Sequence, residues 1–437
     1  MRKALEDGRV LKNCKIYGML EGQSSAHISF HTPGHKTQGW DITELSYSDN
    51  LSCPHGCIAE AQRDIAEILG AEKSFILTDG STSGVLSMLH VAKSFGVKTI
   101  AVCANAHKSV WNGCKLLGIT PLVYPQKYRG KIPYTPTMSA LKTEFSEILR
   151  TADALFFTSP DYYGNITDLK AVRAYCDETG KLLLIDGAHG GHLHFHKEVY
   201  AGTYADLWVD GVHKSLPAFT QGAVVSARNK RLADALSEAV DIFRTTSPSY
   251  PIMASVEYAV KYPQNKVLEE NAAAFEKSCA RIANSDDWTK LCAVFGDQAF
   301  DVEKDFEKLG IFPEFCDGNV LTFYLSPATK AEDFETLKTH LKQAFEKYPL
   351  SKDENVENDV QRIPAPLVFE ETEVEWVKIS AAEGRVCALN CGLFPPCTSL
   401  IFSGERITAE KLALLEKADN LFGVQEQKIL VLKKSKE

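Results

Sequence analysis

The sequence lacks any run approaching the ~18 consecutive apolar residues that cross a membrane. Its first twenty residues intersperse Arg2, Lys3, Glu6, Asp7, Arg9, Lys12 and Lys15, so no apolar centre of a secretory signal can be drawn there. The expectation is a cytoplasmic protein with no membrane partner. It also lacks an excess of positive charge. Lys and Arg number 48 against 57 Asp and Glu, a net charge of −9. This argues against a general nucleic-acid binder, which needs a basic face to displace phosphate counterions. Twelve cysteines are present, but no C-x-x-C, so the usual zinc-ribbon spacing is missing. They read as reduced small hydrophobes in a reducing compartment. No internal repeat or low-complexity tract is visible. What remains is ordinary globular usage, 44% hydrophobic and 24% charged over 437 residues. At ~150 residues per domain this length allows two or three domains.

From about residue 56 to 230, short apolar runs alternate with helical periods. Strands are expected at 74–77, 99–103, 121–124, 154–158, 182–186, 206–210 and 222–226. Ile58, Ala61, Ile65 and Leu69 recur at spacings of three and four, one face of a helix that Gly70 stops. Apolar strands alternating with helices predict an α/β fold with a mostly parallel, seven-stranded sheet covered on both faces. After about residue 252 the character changes. A helix is expected from Met253 to Val260 and an amphipathic one within 326–348. A charged loop or linker follows at 351–358, then strands near 367–369, 376–380 and 399–402 and a helix over 408–419. The expected layout is an N-terminal segment (1–26), a large domain (27–255) and a smaller α+β C-terminal region (256–437).

Four segments each follow an expected strand, so the sheet gathers them at its carboxyl edge, where ligands of such sheets bind. Residues 78–84 (TDGSTSG) precede a helix expected to begin near Val85. With Gly80, Ser81 and Thr82 they read as an anion seat or as a Ser/Thr helix cap. His107 follows the strand at 99–103 and is either a ring for stacking or a capping histidine. Asp186 ends an apolar strand, where a carboxylate is costly unless it meets a cation. A protonated ring nitrogen is such a partner, and a turn cap is the alternative. His192, His194 and His196 alternate as if along an extended chain, but no acidic ligand is placed to complete a metal site, and none is expected. Lys214 lies 28 residues after Asp186, just beyond another strand, where desolvation could activate it for imine formation. A surface lysine is the alternative. Taken in order, phosphate seat, stacking ring, carboxylate and lysine are the parts of a pyridoxal phosphate (PLP) enzyme.

Longer motifs carry a resemblance. They include Phe30-His31-Thr32-Pro33-Gly34-His35-Lys36, Pro54-His55-Gly56-Cys57-Ile58, Asn105 with His107-Lys108-Ser109, and Pro160-Asp161-Tyr162-Tyr163-Gly164. Asp186-Gly187-Ala188-His189-Gly190, His213-Lys214-Ser215-Leu216-Pro217, the stretch from Thr245 to Tyr250, and Gly404-Glu405-Arg406-Ile407 continue the series. Together they resemble the Orn/Lys/Arg decarboxylase major-domain family, in a short form without an N-terminal wing. That resemblance implies the aspartate-aminotransferase-like fold (PLP fold type I) and α-decarboxylation of arginine, lysine or ornithine, with polyamine biosynthesis as the setting. It implies Lys214 as the imine lysine, Asp186 at the ring nitrogen and His107 stacked on the ring. Gly80, Ser81 and Thr82 would hold the phosphate, with His213 beside it. Ala188 would pack on the other ring face, and His189 would join the cofactor contacts. It further implies a homodimer or higher homo-oligomer in which Thr246 and Ser247 reach the partner's site. Four places depart from the family pattern: Gly211 for Ser, Asp79 for Asn, Gly187 for Glu, and Phe394-Pro395-Pro396-Cys397 for Tyr-Pro-Pro-Gly. An aminotransferase or lyase on the same fold, or a weakly active binding subunit, are the alternatives. Glu44, Glu383 and Glu405 are candidate acids for the distal cation of the substrate.

Overall fold

The computed structural model describes residues 8–23, 28–36, 40–130, 132–350, 373–394, 399–418 and 420–433. The expectations at 351–358 and 367–369, and those on Pro395, Pro396 and Cys397, lie outside the described residues.

The main sheet contains β1 (Lys73–Leu77), β2 (Thr99–Cys103), β3 (Thr120–Tyr124), β4 (Ala154–Thr158), β5 (Leu182–Gly187), β6 (Leu207–Asp210) and β7 (Ala223–Ala227). Their order is β1-β7-β6-β5-β4-β2-β3. β7 runs against both its neighbours, and every other adjacent pair is parallel. Side chains alternate between two cores, as the period of two requires. Leu155 and Phe157 face a core that holds Ile58, Ile65, Met253 and Val256. Ala154 and Phe156 face a core built with Met88, Leu89, Val110 and Leu236. Both faces are therefore covered, which explains why these strands read as continuous apolar runs. The N-terminal helix Lys15–Gln23 also belongs here, with Ile16 and Leu20 in the first core. Its first amides donate to the buried Glu257 carboxylate, Lys15 N at 2.7 Å and Ile16 N at 2.9 Å.

The expected helix at 58–69 spans Cys57–Leu69. Two helices start earlier than expected. One begins at Gly80 rather than near Val85. Gly80 adopts φ +75°, a left-handed conformation that glycine reaches without strain, and this turns the chain out of β1 directly into a helix. The other begins at Tyr250 rather than Met253, with Pro251 in its first turn, where the missing amide costs nothing.

A second, antiparallel sheet joins β8 (Ile282–Ala283), β9 (Lys290–Val294), β10 (Phe315–Cys316) and β11 (Val320–Tyr324), in the order β8-β9-β11-β10. Helices Lys266–Ser278, Ala299–Lys308 and Ala331–Lys347 share its core. A third cluster holds strands Val374–Lys378 and Lys428–Leu432 with helix Ala409–Lys417. The strand expected at 399–402 is instead a turn carrying one isolated bridge, Cys391 to Ile401. There the Phe402 amide donates to the Glu405 carboxylate at 3.0 Å, so it is not available to a ladder. This third cluster touches the large unit through Trp111 and Phe402, whose rings meet edge to face at 5.7 Å. Lys108 also lies 5.6 Å from the Phe422 ring.

Candidate active site

The carboxyl ends of β1, β2, β5 and β6 bring the expected residues to one edge of the main sheet. Asp186 is the penultimate residue of β5 and is 3% exposed. Burial pushes its carboxyl upward, while the Lys214 charge and the Ala188 amide, donating at 3.0 Å, pull it back. Lys214 sits in the short helix Val212–Ser215 that follows β6. Its Nζ lies 3.1 Å from His189 Nε2 and 5.8 Å from the Tyr162 ring centre. The His189 ring is boxed by Tyr162 at 4.5 Å and Tyr324 at 5.5 Å. Burial drives His189 well below the usual histidine range, helped by Lys214 and Lys290. It is therefore neutral.

Of the two readings left open for His107, the structure shows the cap. His107 caps the helix Lys108–Leu117, its Nδ1 accepting the Ser109 amide at 3.2 Å. Its ring also lies in the field of Lys214. Burial first, then Lys214 and Lys108, take its pKa down to about 3. Since the helix after β1 starts at Gly80, Ser81 and Thr82 occupy its first turn, where amides have no partner within the helix. The Gly80 amide itself donates to the Gln221 carbonyl at 2.9 Å. His213 turns its Nδ1 to the Gly222 carbonyl at 2.9 Å. Thr246 and Ser247 are exposed, and the Thr245 amide reaches Asp79 Oδ2 at 3.3 Å, next to Gly80.

Gly211 has a packing role. A Cβ built there would stand 2.5 Å from the Ala188 carbonyl oxygen and 3.2 Å from its Cα. Ala188 is thus held against the turn that carries Lys214, at a spacing only glycine permits.

The three alternating histidines lie in a 3-10 turn, Gly191–Phe195, and its margin, not in an extended chain. They point to separate partners: His192 to Asp287 (2.9 Å), His194 to the Gly191 carbonyl (2.7 Å) and His196 to Glu269 (2.9 Å). Among the described residues, no group of three or more His, Cys, Asp or Glu side chains is arranged to hold a metal.

Sequence reasoning missed the groups brought by the second sheet. Glu314, just before β10, is an exposed residue whose carboxyl sits among protein groups. Burial raises its pKa, and Lys214 and Lys290 lower it. Of the acids named from sequence, Glu405 is already engaged by Lys411 and the Phe402 amide. Glu44 accepts from the Thr43 hydroxyl at 2.7 Å. No spacing in the sequence links Glu314 to Lys214, because a separate sheet delivers it.

A cofactor would find unmet hydrogen-bonding groups at this edge. Thr78 Oγ1, Asn105 Oδ1, Thr158 Oγ1 and His189 Nδ1 are buried without a partner, a condition that folded chains avoid unless something completes it. Helix-start amides, a buried carboxylate and two neutral imidazoles beside a lysine fit a phosphorylated pyridine aldehyde.

A model of the Orn/Lys/Arg decarboxylase major domain matches residues 24–286, more than half of the chain. The chain belongs to the Orn/Lys/Arg decarboxylase family. A relative of this family, the uncharacterized protein YaaO of Bacillus subtilis, is 29% identical, with 93% of this chain and 94% of that protein covered. The arginine decarboxylase of the same organism is 25% identical, with 92% of each covered. Among solved structures, the Francisella novicida lysine decarboxylase LdcF superposes with a TM-score of 0.75 at 18% identity, over 96% of this chain and 81% of that one. An SPT solved with PLP superposes at 0.56 and 12% identity, over 79% and 85%. The decarboxylase-family fold is thus PLP fold type I, as the motifs implied, with a large, mostly parallel sheet and smaller sheets appended. Among the described residues, no helix is long and apolar enough to cross a membrane.

Proposed function

We propose that this chain is a PLP-dependent decarboxylase that converts a basic L-amino acid, arginine, lysine or ornithine, to its amine and CO2. The observation that carries this is the placement of Lys214, Asp186 and neutral His189 at one sheet edge, with the Glu314 carboxylate close enough to feel the Lys214 charge. Bound there, PLP supplies a sink for the electron pair left when CO2 departs.

The chain's own residues divide the remaining work. Lys214 offers the amine that tethers an aldehyde. Asp186 uses one oxygen on the Ala188 amide and keeps the other to hold the proton of a ring nitrogen. His107, uncharged, presents a planar face without competing for that proton. Amides near Gly80, Ser81 and Thr82, with His213 close by, suit a phosphate at the start of a helix. Ala188 supplies a small apolar surface opposite His107. Tyr162 and Tyr324 shield the His189 ring from water, and Tyr162 also flanks the Lys214 amine. Glu314 offers the negative charge that an ammonium or guanidinium at the far end of the substrate needs. Gly211, the departure from the family pattern that motivates the weakly active subunit, makes a tight contact with Ala188, and the retained Lys214 and Asp186 argue for an enzyme. The working unit in this reading is a homodimer, with Thr246 and Ser247 facing a second copy.

The test is a panel of arginine, lysine and ornithine with amine, CO2 and keto acid measured together, alongside Lys214→Ala. Amine and CO2 in equal amounts from one of the three, lost in Lys214→Ala, is the expected result. Keto acid without CO2 would replace this reading with an aminotransferase. Sizing by light scattering should give at least twice the chain mass.

A further inference from the structure

The turn that enters β9 buries a charged cluster behind the candidate site. Lys290 and Asp287 expose 1% and 0% of their side chains. The Lys290 ammonium donates three times: to Asp287 Oδ2 at 2.7 Å, to Thr289 Oγ1 at 2.7 Å and to the backbone carbonyl of His189 at 2.8 Å. Asp287 Oδ1 accepts from His192 Nε2 at 2.9 Å and from the amide and hydroxyl of Thr289 at 2.9 and 2.7 Å. The His192 amide in turn donates to Ser215 Oγ at 3.3 Å, beside Lys214. Two large desolvation costs are met here in one place. A buried ion pair of this kind adds little net stability compared with apolar packing, so its presence calls for another use.

We propose that Lys290 is a positioning residue for Lys214. It pins the His189 carbonyl, and through it holds the His189 ring with Nε2 against the Lys214 amine. This deepens the decarboxylase reading and rests on it. The carbonyl bond fixes the backbone of His189, and Tyr162 and Tyr324 fix the plane of its ring. Burial keeps the imidazole neutral, so Nε2 accepts from a protonated Lys214. Other charged or titratable groups around Lys214 include Asp186, His107, His213 and Tyr162 on the large unit and Glu314 just before β10.

Positioning and simple charge predict opposite signs. If Lys290 acts only through its field, its removal leaves Lys214 in more negative surroundings and raises the amine's pKa. If it acts by holding His189, its removal costs the protonated amine an acceptor and lowers that pKa. A hydrogen bond to a charged group is worth enough to move it by about one unit.

The experiment follows the rate at which added PLP develops its visible band in cofactor-stripped protein, as a function of pH. This reads the neutral fraction of Lys214 without turnover. The proteins are wild type, Lys290→Met, His189→Asn and the double variant, with thermal midpoints as a folding control. The expected result is a downward shift of about one unit in Lys290→Met and no further shift when Lys290→Met is added to His189→Asn, since residues that act through one another are not additive. An unchanged or upward midpoint, or an equal shift in the His189→Asn background, overturns the proposal. If Lys290→Met fails to fold, Lys290→Met with Asp287→Asn leaves no uncompensated charge and replaces it throughout. A wild type that forms no band removes the PLP reading and this inference together. A wild type that forms the band and decarboxylates, with an additive cycle, removes this inference alone.

Discussion

Gly211 stands where relatives of this family were expected to carry serine, and the two views of that position predict opposite outcomes for Gly211→Ser. If a hydroxyl there serves the phosphate, restoring it should tighten PLP binding. The packing says otherwise. The new Cβ would meet the Ala188 carbonyl oxygen at 2.5 Å, where ordinary contact begins at 3.4 Å. The obstacle is backbone, which cannot rotate aside, so either Ala188 or the Lys214 turn must retreat by about 0.9 Å, the difference between the two. Ala188 lies between Asp186, whose carboxylate it fixes by its amide, and His189, which meets Lys214 at 3.1 Å. A retreat of that size takes His189 and Lys214 out of hydrogen-bond range. Overpacking of this kind costs about 1–3 kcal/mol of stability, and a shift near 1 Å at a reacting centre costs about 10²-fold in rate. The assay is PLP titration by absorbance, with kcat and thermal midpoint measured in parallel. Gly211→Ser should bind PLP more weakly, melt lower and lose about 10²-fold in kcat. Binding and turnover at or above the wild-type level would refute the packing argument.

Asp186→Asn keeps the shape of the buried side chain but removes the charge that holds a ring-nitrogen proton. A loss of about 10²–10³-fold in kcat is expected, and near-normal turnover would assign that proton to another group. Glu314→Gln should raise KM for the basic substrate by about 10–100-fold with little change in kcat, because it removes a charged hydrogen bond to a part of the substrate that does not react. An unchanged KM would move the distal cation elsewhere. His107 titrates at about 3 in the fold against 6.5 in an unfolded chain, so the unfolded state binds the extra proton between those values. Its contribution is complete above about 6.5 and is lost as pH falls toward 3. His107→Asn, which can still cap the helix, should therefore flatten the pH dependence of the melting midpoint in that window. An identical slope would show that the ring is not held neutral.

The main sheet was legible because burial on both faces writes each strand as an unbroken apolar run. All seven strands fall within a residue or so of their expected places. Asp186, His107 and Lys214 were legible for a related reason: each lies just past such a run, and a parallel sheet must bring those ends together. Helix starts were harder. Gly80 reads locally as loop, and only its left-handed backbone makes it the entry to a helix. β9 and β11 were missed: β9 opens on a lysine, Lys290, met by the nearby Asp287 and Thr289 and by the remote His189 carbonyl, and Thr322 interrupts β11, its hydroxyl turned to Cys292 Sγ. Glu314, Asp287 and Lys290 had no legible signal. Their meaning depends on a second sheet docking over the site, and no local period encodes that docking.

The helix Lys108–Leu117 is headed by His107 and carries two side chains that meet the third cluster, Lys108 against Phe422 and Trp111 against Phe402. One face of one helix therefore serves two clients. A graft of the C-terminal cluster from a relative would change the surface against which Trp111 and Lys108 rest, and with it the tilt of the imidazole at the helix head. Chimeras in this family should keep residues 107–111 and 399–422 from the same parent. Where a natural homologue has exchanged one, the other is the place to look for its compensation.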